Sequence, residues 1–141
     1  MHFENTVTIQ RPPDEVFEYL AHFENVPEWN YAIVKTQQTS DGPVGVGTTY
    51  KQARSLPSPS EEAFEVTEFD PDRRLAIRGD LGPFEGTLTY DLESVPDGTK
   101  ITNSADLRAH GLLKVAAPLA SRRVGDAVAA NLQTLKDILE R

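Results

Sequence analysis

Residues 111–141, GLLKVAAPLASRRVGDAVAANLQTLKDILER, form the longest helical pattern in the chain and decide its architecture. Their apolar positions recur at spacings of three and four, which predicts one long amphipathic helix with one buried face. These positions are Leu113, Ala117, Ala120, Val124, Val128, Leu132, Leu135 and Leu139. A closing helix of this kind requires an apolar sheet or bundle to pack against.

The middle of this predicted helix is built from small residues. Between Ala116 and Ala130 seven residues are alanine or glycine, and the bulk is concentrated at the two ends of the helix. Pro118 removes one helical hydrogen bond, so it predicts a kink or marks the true helix start. Small residues between bulky ends favour a hollow beneath the helix, of the size that ligand cavities have.

Most of the preceding chain alternates apolar and polar residues with a period of two, which predicts strands. Seven segments show this pattern: 2–10, 31–39, 48–54, 63–69, 74–78, 84–95 and 100–109. Short turns such as Asp97-Gly98 link them, and no βαβ repeat appears, so the sheet is predicted to be antiparallel. Pro12-Pro13 starts a short helix that ends near Ala21, and residues 22–30 predict a second helical turn.

Composition limits the function classes. The 141 residues fit one domain, 1–141, and the net charge of -8 argues against non-specific binding of nucleic acid. The chain has no cysteine, which excludes disulfides and thiolate chemistry. No signal-peptide pattern and no apolar run long enough to span a membrane are visible, so a cytoplasmic location is expected.

Six short motifs occur in the order found in one protein superfamily. They are Ile9–Phe17 (IQRPPDEVF), Val26–Trp29 (VPEW), Val44–Thr48 (VGVGT), Glu65–Pro71 with Arg74-Leu75, Gly98–Ile101 (GTKI) and Leu135–Glu140 (LKDILE). With them the chain resembles the START-like (SRPBCC) superfamily, especially its polyketide cyclase/dehydrase and lipid-transport group. The resemblance spans nearly the whole chain, and every one of its motifs is structural.

The resemblance implies an α+β helix-grip fold, in which a curved seven-stranded antiparallel sheet wraps around a long C-terminal helix. It also implies a cavity that takes a hydrophobic small molecule. The resemblance does not imply a particular reaction, because the superfamily includes aromatase/cyclases and other enzymes as well as carriers of lipids, hormones and quinones.

Strand and helix parity predicts which side chains face such a cavity. The predicted lining is Phe64, Val66, Leu75, Ile77, Phe84, Leu88, Tyr90, Ile101, Asn103, Leu113, Ala120, Val124 and Val128. Arg54 shares parity with Tyr50 and Gln52, which places it at a cavity entrance. Arg78 is expected to point outward.

The candidate polar groups are few. Tyr90 and Asn103 face inward on neighbouring strands, and His110 lies where the last strand meets the long helix, so these three are the weak catalytic candidates. The three histidines lack metal-site spacing, and neither a glycine-rich phosphate loop nor a Gly-x-Ser-x-Gly elbow is present. We therefore expect no metal and no cofactor.

Three functions remain open at this point. The first is a binding module whose cavity holds a hydrophobic or aromatic metabolite. The second is a polyketide cyclase or dehydratase that uses Tyr90, Asn103 and His110 on a ligand in the same cavity. The third is a protein-interaction domain with a filled core and no cavity. The sequence leaves the ligand, the pathway and the oligomeric state undetermined.

Overall fold

The computed structural model describes residues 1–109 and 117–141, with side chains of the last helix described from Arg122 onward. The described elements follow the predicted order. The strands are β1 (His2–Ile9), β2 (Ile33–Gln38), β3 (Thr49–Arg54), β4 (Ser60–Asp70), β5 (Arg74–Leu81), β6 (Phe84–Val95) and β7 (Gly98–Ala109). The helices are α1 (Pro13–Ala21), α2 (Val26–Trp29) and α3 (Ala117–Leu139), and a single 3-10 turn, Phe23–Asn25, lies before α2.

The seven strands form one open antiparallel sheet in the order β1-β7-β6-β5-β4-β3-β2. Only the first strand is out of sequence order, because β1 pairs with β7 after the helical insert. The predicted α+β class, the antiparallel sheet, the two short helices and the long terminal helix are therefore confirmed, and the arrangement is consistent with the helix-grip fold. None of the described helices combines the length and apolar character needed to cross a membrane.

Three strands run at least two residues beyond their sequence patterns, and one of them is β7, which begins at Gly98 rather than Lys100. β4 begins at Ser60 rather than Ala63, and β5 continues to Leu81 rather than Arg78. Pairing with β3 supports the start of β4, since Ser60 lies opposite Arg54, and pairing with β6 supports the end of β5. The turn between β5 and β6 is consequently reduced to Gly82 and Pro83.

Two glycines face each other across β5 and β6. Gly79 pairs with Gly86, and both share parity with the inward residues of their strands. A Cβ on Gly79 would lie 2.6 Å from the Cα of Phe64, and one on Gly86 would lie 2.0 Å from the carbonyl oxygen of Asp106. Neighbouring backbone therefore excludes a side chain at either position, so the inner face of the sheet has no side chains here.

Among the described residues, the buried apolar side chains form two clusters on the inner face of the sheet. The larger one joins α1, the short helices and the sheet to Leu132 and Leu135 of α3. The smaller one is centred on Phe84, Ala105 and Leu107. Helix α3 is also tied to the edge strand β1, where Lys136 Nζ donates a hydrogen bond to the Thr8 carbonyl at 2.6 Å.

Candidate functional site

A cavity of about 500 Å³ lies between the sheet, the helical insert and α3. The sheet and its loops contribute Phe3, Gln52, Arg54, Leu56, Pro57, Phe64, Ile77, Leu81, Pro83, Phe84, Leu88, Tyr90 and Leu107. The helices and the turn after α2 contribute Leu20, Phe23, Val26, Trp29, Asn30, Tyr31, Ala32, Arg123, Val124, Ala127, Val128 and Asn131. Members of both core clusters line it, and Leu88 packs against both clusters.

Seven of the residues predicted to face a cavity are in this lining. They are Phe64, Ile77, Phe84, Leu88, Tyr90, Val124 and Val128. Leu113 and His110 lie outside the described residues, and Ala120 lies on α3 where side chains are not described. The small-residue segment of α3 supplies Ala127 to the lining, between Val124 and Val128.

The other four predicted residues lie in the packed part of the interior. Val66, Leu75, Ile101 and Asn103 are 0–1% exposed and are absent from the cavity lining. The first three belong to the larger core cluster, which the leucines of α3 also join. Inward parity therefore identifies the correct face of the sheet, but it does not separate the part covered by packed side chains from the open part.

A buried ion pair forms the polar end of the cavity. The Arg54 guanidinium donates to Glu62 through Nη2 to Oε1 at 2.8 Å and through Nε to Oε2 at 3.0 Å. Gln52 Nε2 also donates to Oε1 at 2.6 Å, and the backbone N–H of Gly82 donates to Oε2 at 2.7 Å. Both carboxylate oxygens are thus saturated by donors, as a buried charge requires.

Strand register brings this network together. On the inward face of β3 and β4, Gln52 lies directly opposite Glu62, and the pair Tyr50 and Phe64 lies next to them. The rings of Tyr50 and Phe64 stack at 5.0 Å, which is a favourable cross-strand contact. Arg54, one inward position further along β3, reaches Glu62 diagonally. The expectation that Arg54 stands at the cavity rests on the same parity, and its side chain does line it.

Tyr90 places a phenol in the cavity wall. It lies on β6 opposite Asn103 on β7, as parity predicts, and its ring meets Trp29 edge-on at 6.5 Å between centroids. Burial raises the pKa of the Tyr90 hydroxyl above its ordinary value, so this group stays a neutral hydrogen-bond donor in the physiological range. Asn103 instead uses its amide within the sheet, where Nδ2 donates to the Thr89 carbonyl at 3.2 Å.

The described histidines lie away from the cavity. His2 is exposed, and its ring nitrogen Nδ1 is 2.7 Å from Asp106, a contact that raises its pKa. His22 is exposed after the end of α1, 3.8 Å from Glu24. Within residues 1–109 and 117–141, no group of three or more His, Asp or Glu side chains is placed to hold a metal ion.

Apolar side chains that line the cavity are also exposed at its rim. Tyr31 is 60% and Leu56 is 46% exposed, and both contribute to the lining. These residues, with most of the helical insert, are absent from the sequence prediction, which considered only strands and the long helix. Trp29 and its VPEW motif were recognisable in the sequence, but as a core feature rather than as a wall of the site.

A family model described as "Polyketide cyclase / dehydrase and lipid transport" matches residues 1–140 of the chain. Among curated proteins, the chain is 30% identical over 106 residues to the uncharacterized protein Rv2574 of Mycobacterium tuberculosis. That alignment covers 71% of the chain and 61% of Rv2574, so the chain spans about three fifths of the curated relatives it matches.

Several solved structures have the same fold but share little sequence identity with this chain. The protein TTHA0849 from Thermus thermophilus superposes with a TM-score of 0.83 at 14% identity, covering 99% of this chain and 97% of that one. The Zhui aromatase/cyclase from a Streptomyces species superposes with a TM-score of 0.79 at 18% identity, covering 100% and 94%. At such identities the likeness establishes the fold alone.

Proposed function

The chain belongs to the polyketide cyclase/dehydrase and lipid transport family, and we propose that it binds a hydrophobic or aromatic small molecule in the cavity between the sheet and α3. The observation that carries this proposal is the cavity itself. Its volume of about 500 Å³ falls within the range of small-molecule sites.

The composition of the wall supports an apolar ligand. Most lining side chains are aliphatic or aromatic, and the polar ones are few. Removing apolar surface from water contributes about 25 cal/mol per Å², so a ligand that buries about 200 Å² gains roughly 5 kcal/mol before the costs of association. Phe64, Phe84 and Tyr90 offer ring faces and edges suited to an aromatic ligand.

A second candidate function is catalysis of a cyclisation or dehydration on a ligand held in the same cavity. The neutral, buried phenol of Tyr90 favours it, because such a donor can polarise a carbonyl oxygen in a dry site. Asn103 and His110 complete this hypothesis. Asn103 lies opposite Tyr90 on β7 but outside the cavity lining, and His110 falls outside the described residues.

The third hypothesis, an interaction domain with a filled core, receives the least support. It requires side chains to occupy the space between Ile77, Leu88 and Val128, and these residues border the cavity instead.

Native mass spectrometry of the protein purified from its own host tests the binding proposal. We expect a retained small molecule, released under denaturing conditions. The matched control is Ala127→Phe, which fills the cavity from α3 and should return the bare protein mass. A bare mass for both proteins, with no gain in thermal stability on addition of apolar aromatic compounds, would contradict a ligand-binding function.

A further inference from the structure

The charges around the cavity differ from those of the rest of the molecule. The chain has 22 acidic and 14 basic residues. The described cavity lining, in contrast, contains two arginines, Arg54 and Arg123, and no aspartate or glutamate. A molecule that enters this cavity therefore leaves an acidic surface and meets arginines as the only charged side chains among the described lining residues.

The two arginines are in different electrostatic states. The Arg54 guanidinium is held by Glu62, whose side chain is 2% exposed, so the pair adds little net charge to the cavity. The remaining contact of Arg54 is weak: Nη1 lies 3.4 Å from the Leu56 carbonyl. Arg54 is a polar, positioned group rather than an uncompensated cation.

Arg123 forms no ion pair or side-chain hydrogen bond with any residue of 1–109 or 122–141. It lies on α3, one turn before Ala127 and next to Val124, and these three side chains line the cavity together. Arg123 is exposed, as are the neighbouring charges on this part of the helix, Arg122 and Asp126. The apolar stem of an arginine can lie along such a wall while its charged guanidinium stays at the solvent-exposed mouth of the cavity.

We propose that the ligand is an amphipathic organic anion, whose apolar body fills the cavity and whose single carboxylate binds Arg123. This inference rests on the proposed binding function and narrows its ligand class. A guanidinium offers a carboxylate two parallel donors, and such charge-assisted bonds exceed neutral ones in strength. A cationic ligand would meet Arg123 with no acidic side chain in the described lining to balance it.

A pair of fluorescent probes of the same shape tests the inference. Anthracene-2-carboxylate and anthracene-2-carboxamide differ in charge and share the ring system, and the first is ionised at neutral pH. We expect the wild-type protein to bind the carboxylate about two- to fivefold more tightly, as a charge pair with an exposed arginine predicts. The preference should weaken in salt, because screening increases as the Debye length falls from about 30 Å at 0.01 M to about 3 Å at 1 M.

Substituting single arginines then identifies the residue that binds the carboxylate. Arg123→Gln should abolish the preference for the carboxylate, because it removes the charge with which only the carboxylate can pair. The matched control is Arg122→Gln, which removes the adjacent exposed charge outside the cavity lining and should keep the preference. Circular dichroism and urea unfolding of both variants verify that they fold alike.

The possible results of these binding measurements lead to different conclusions. Equal binding of both probes by the wild-type protein overturns the anion inference and leaves the binding function standing. A preference that survives Arg123→Gln, or that Arg122→Gln removes as well, overturns the assignment to Arg123. If neither probe binds, the proposed binding function fails, and the inference fails with it.

Discussion

Arg54 and Glu62 form a two-point ion pair at the cavity, with Nη2–Oε1 and Nε–Oε2 distances of 2.8 and 3.0 Å. Their side chains are only 13% and 2% exposed. The same carboxylate accepts the backbone N–H of Gly82, so a single acidic side chain joins β3, β4 and the turn between β5 and β6. The polar end of the cavity depends on this one residue.

The first prediction concerns this pair. Glu62→Gln leaves the Arg54 guanidinium buried without a counter-charge, and we expect a loss of about 3–5 kcal/mol in the free energy of unfolding. Urea denaturation measures it. The control is Glu65→Gln, which removes the exposed pair with Arg78 and should cost less than about 1 kcal/mol. Equal losses in the two variants would show that Glu62 acts as a surface residue.

The second prediction concerns the helix wall. Ala127→Phe should raise the Kd for a neutral apolar dye such as Nile red at least about tenfold, because the ring takes ligand volume while the rest of the core is unaltered. Fluorescence titration measures the Kd, and urea unfolding should show little change. Ala129→Phe places the same ring on the exposed face of α3 and should bind the dye normally. Unfolding of Ala127→Phe would show that this position is packed core.

The third prediction concerns alkaline pH. Burial raises the pKa of Tyr50 to about 12 and raises that of Tyr90 further, so the folded protein keeps both protons when unfolded chains lose them. Stability is therefore fully present below the unfolded pKa near 10 and falls as pH rises above it, by up to about 1.4 kcal/mol per pH unit for each tyrosine. Urea unfolding at several pH values measures the slope. Tyr50→Phe should reduce it, and an unchanged slope would contradict the assignment.

The fourth prediction concerns the glycine at the sheet's inner face. Gly86 has φ +153°, and an added Cβ would meet the Asp106 carbonyl oxygen. Gly86→Ala should cost more than about 2 kcal/mol, as backbone strain and a steric clash combine. Gly45→Ala is the control, since its Cβ would meet nothing within 4 Å. Thermal unfolding of the two variants compares them, and similar melting temperatures would rule out the close approach of β6 and β7.

The fifth prediction separates a carrier from an enzyme. Tyr90→Phe removes one hydroxyl and keeps the ring contact with Trp29. For a carrier we expect only a modest change in ligand affinity. For a cyclase or dehydratase we expect turnover of a polyketide-like substrate to be lost with substrate binding retained, because the donor acts on the transition state. Full turnover by Tyr90→Phe would remove Tyr90 from any catalytic role.

The order of elements was predictable because alternation and turn residues are local signals. Parity placed Tyr90 and Asn103 on the inward faces of neighbouring strands, and the register of β6 and β7 sets them directly opposite each other. The Glu62 network was not predictable in the same way. The apolar pattern of β4 starts at Ala63, and only the pairing of Ser60 with Arg54 extends the strand to include Glu62.

The walls of the cavity were harder to predict than the fold. Trp29, Asn30 and Tyr31 lie in short helical turns whose orientation depends on tertiary packing, so no periodicity indicates which side chain faces inward. The alternation of a strand indicates only whether a residue faces inward or outward. Whether an inward residue is covered depends on where Leu132 and Leu135 of α3 make contact, and that is a property of the assembled chain.

The glycine pair Gly79 and Gly86 has a consequence for how such a protein diversifies. Where neighbouring main chain excludes any side chain, only glycine is accommodated, so mutation cannot change that part of the inner face of the sheet. New ligand preferences must then arise from the side chains that do line the cavity, including those on α3 and around the helical insert. A designer who seeks another specificity would randomise Arg123, Ala127 and Tyr31 and keep the two glycines.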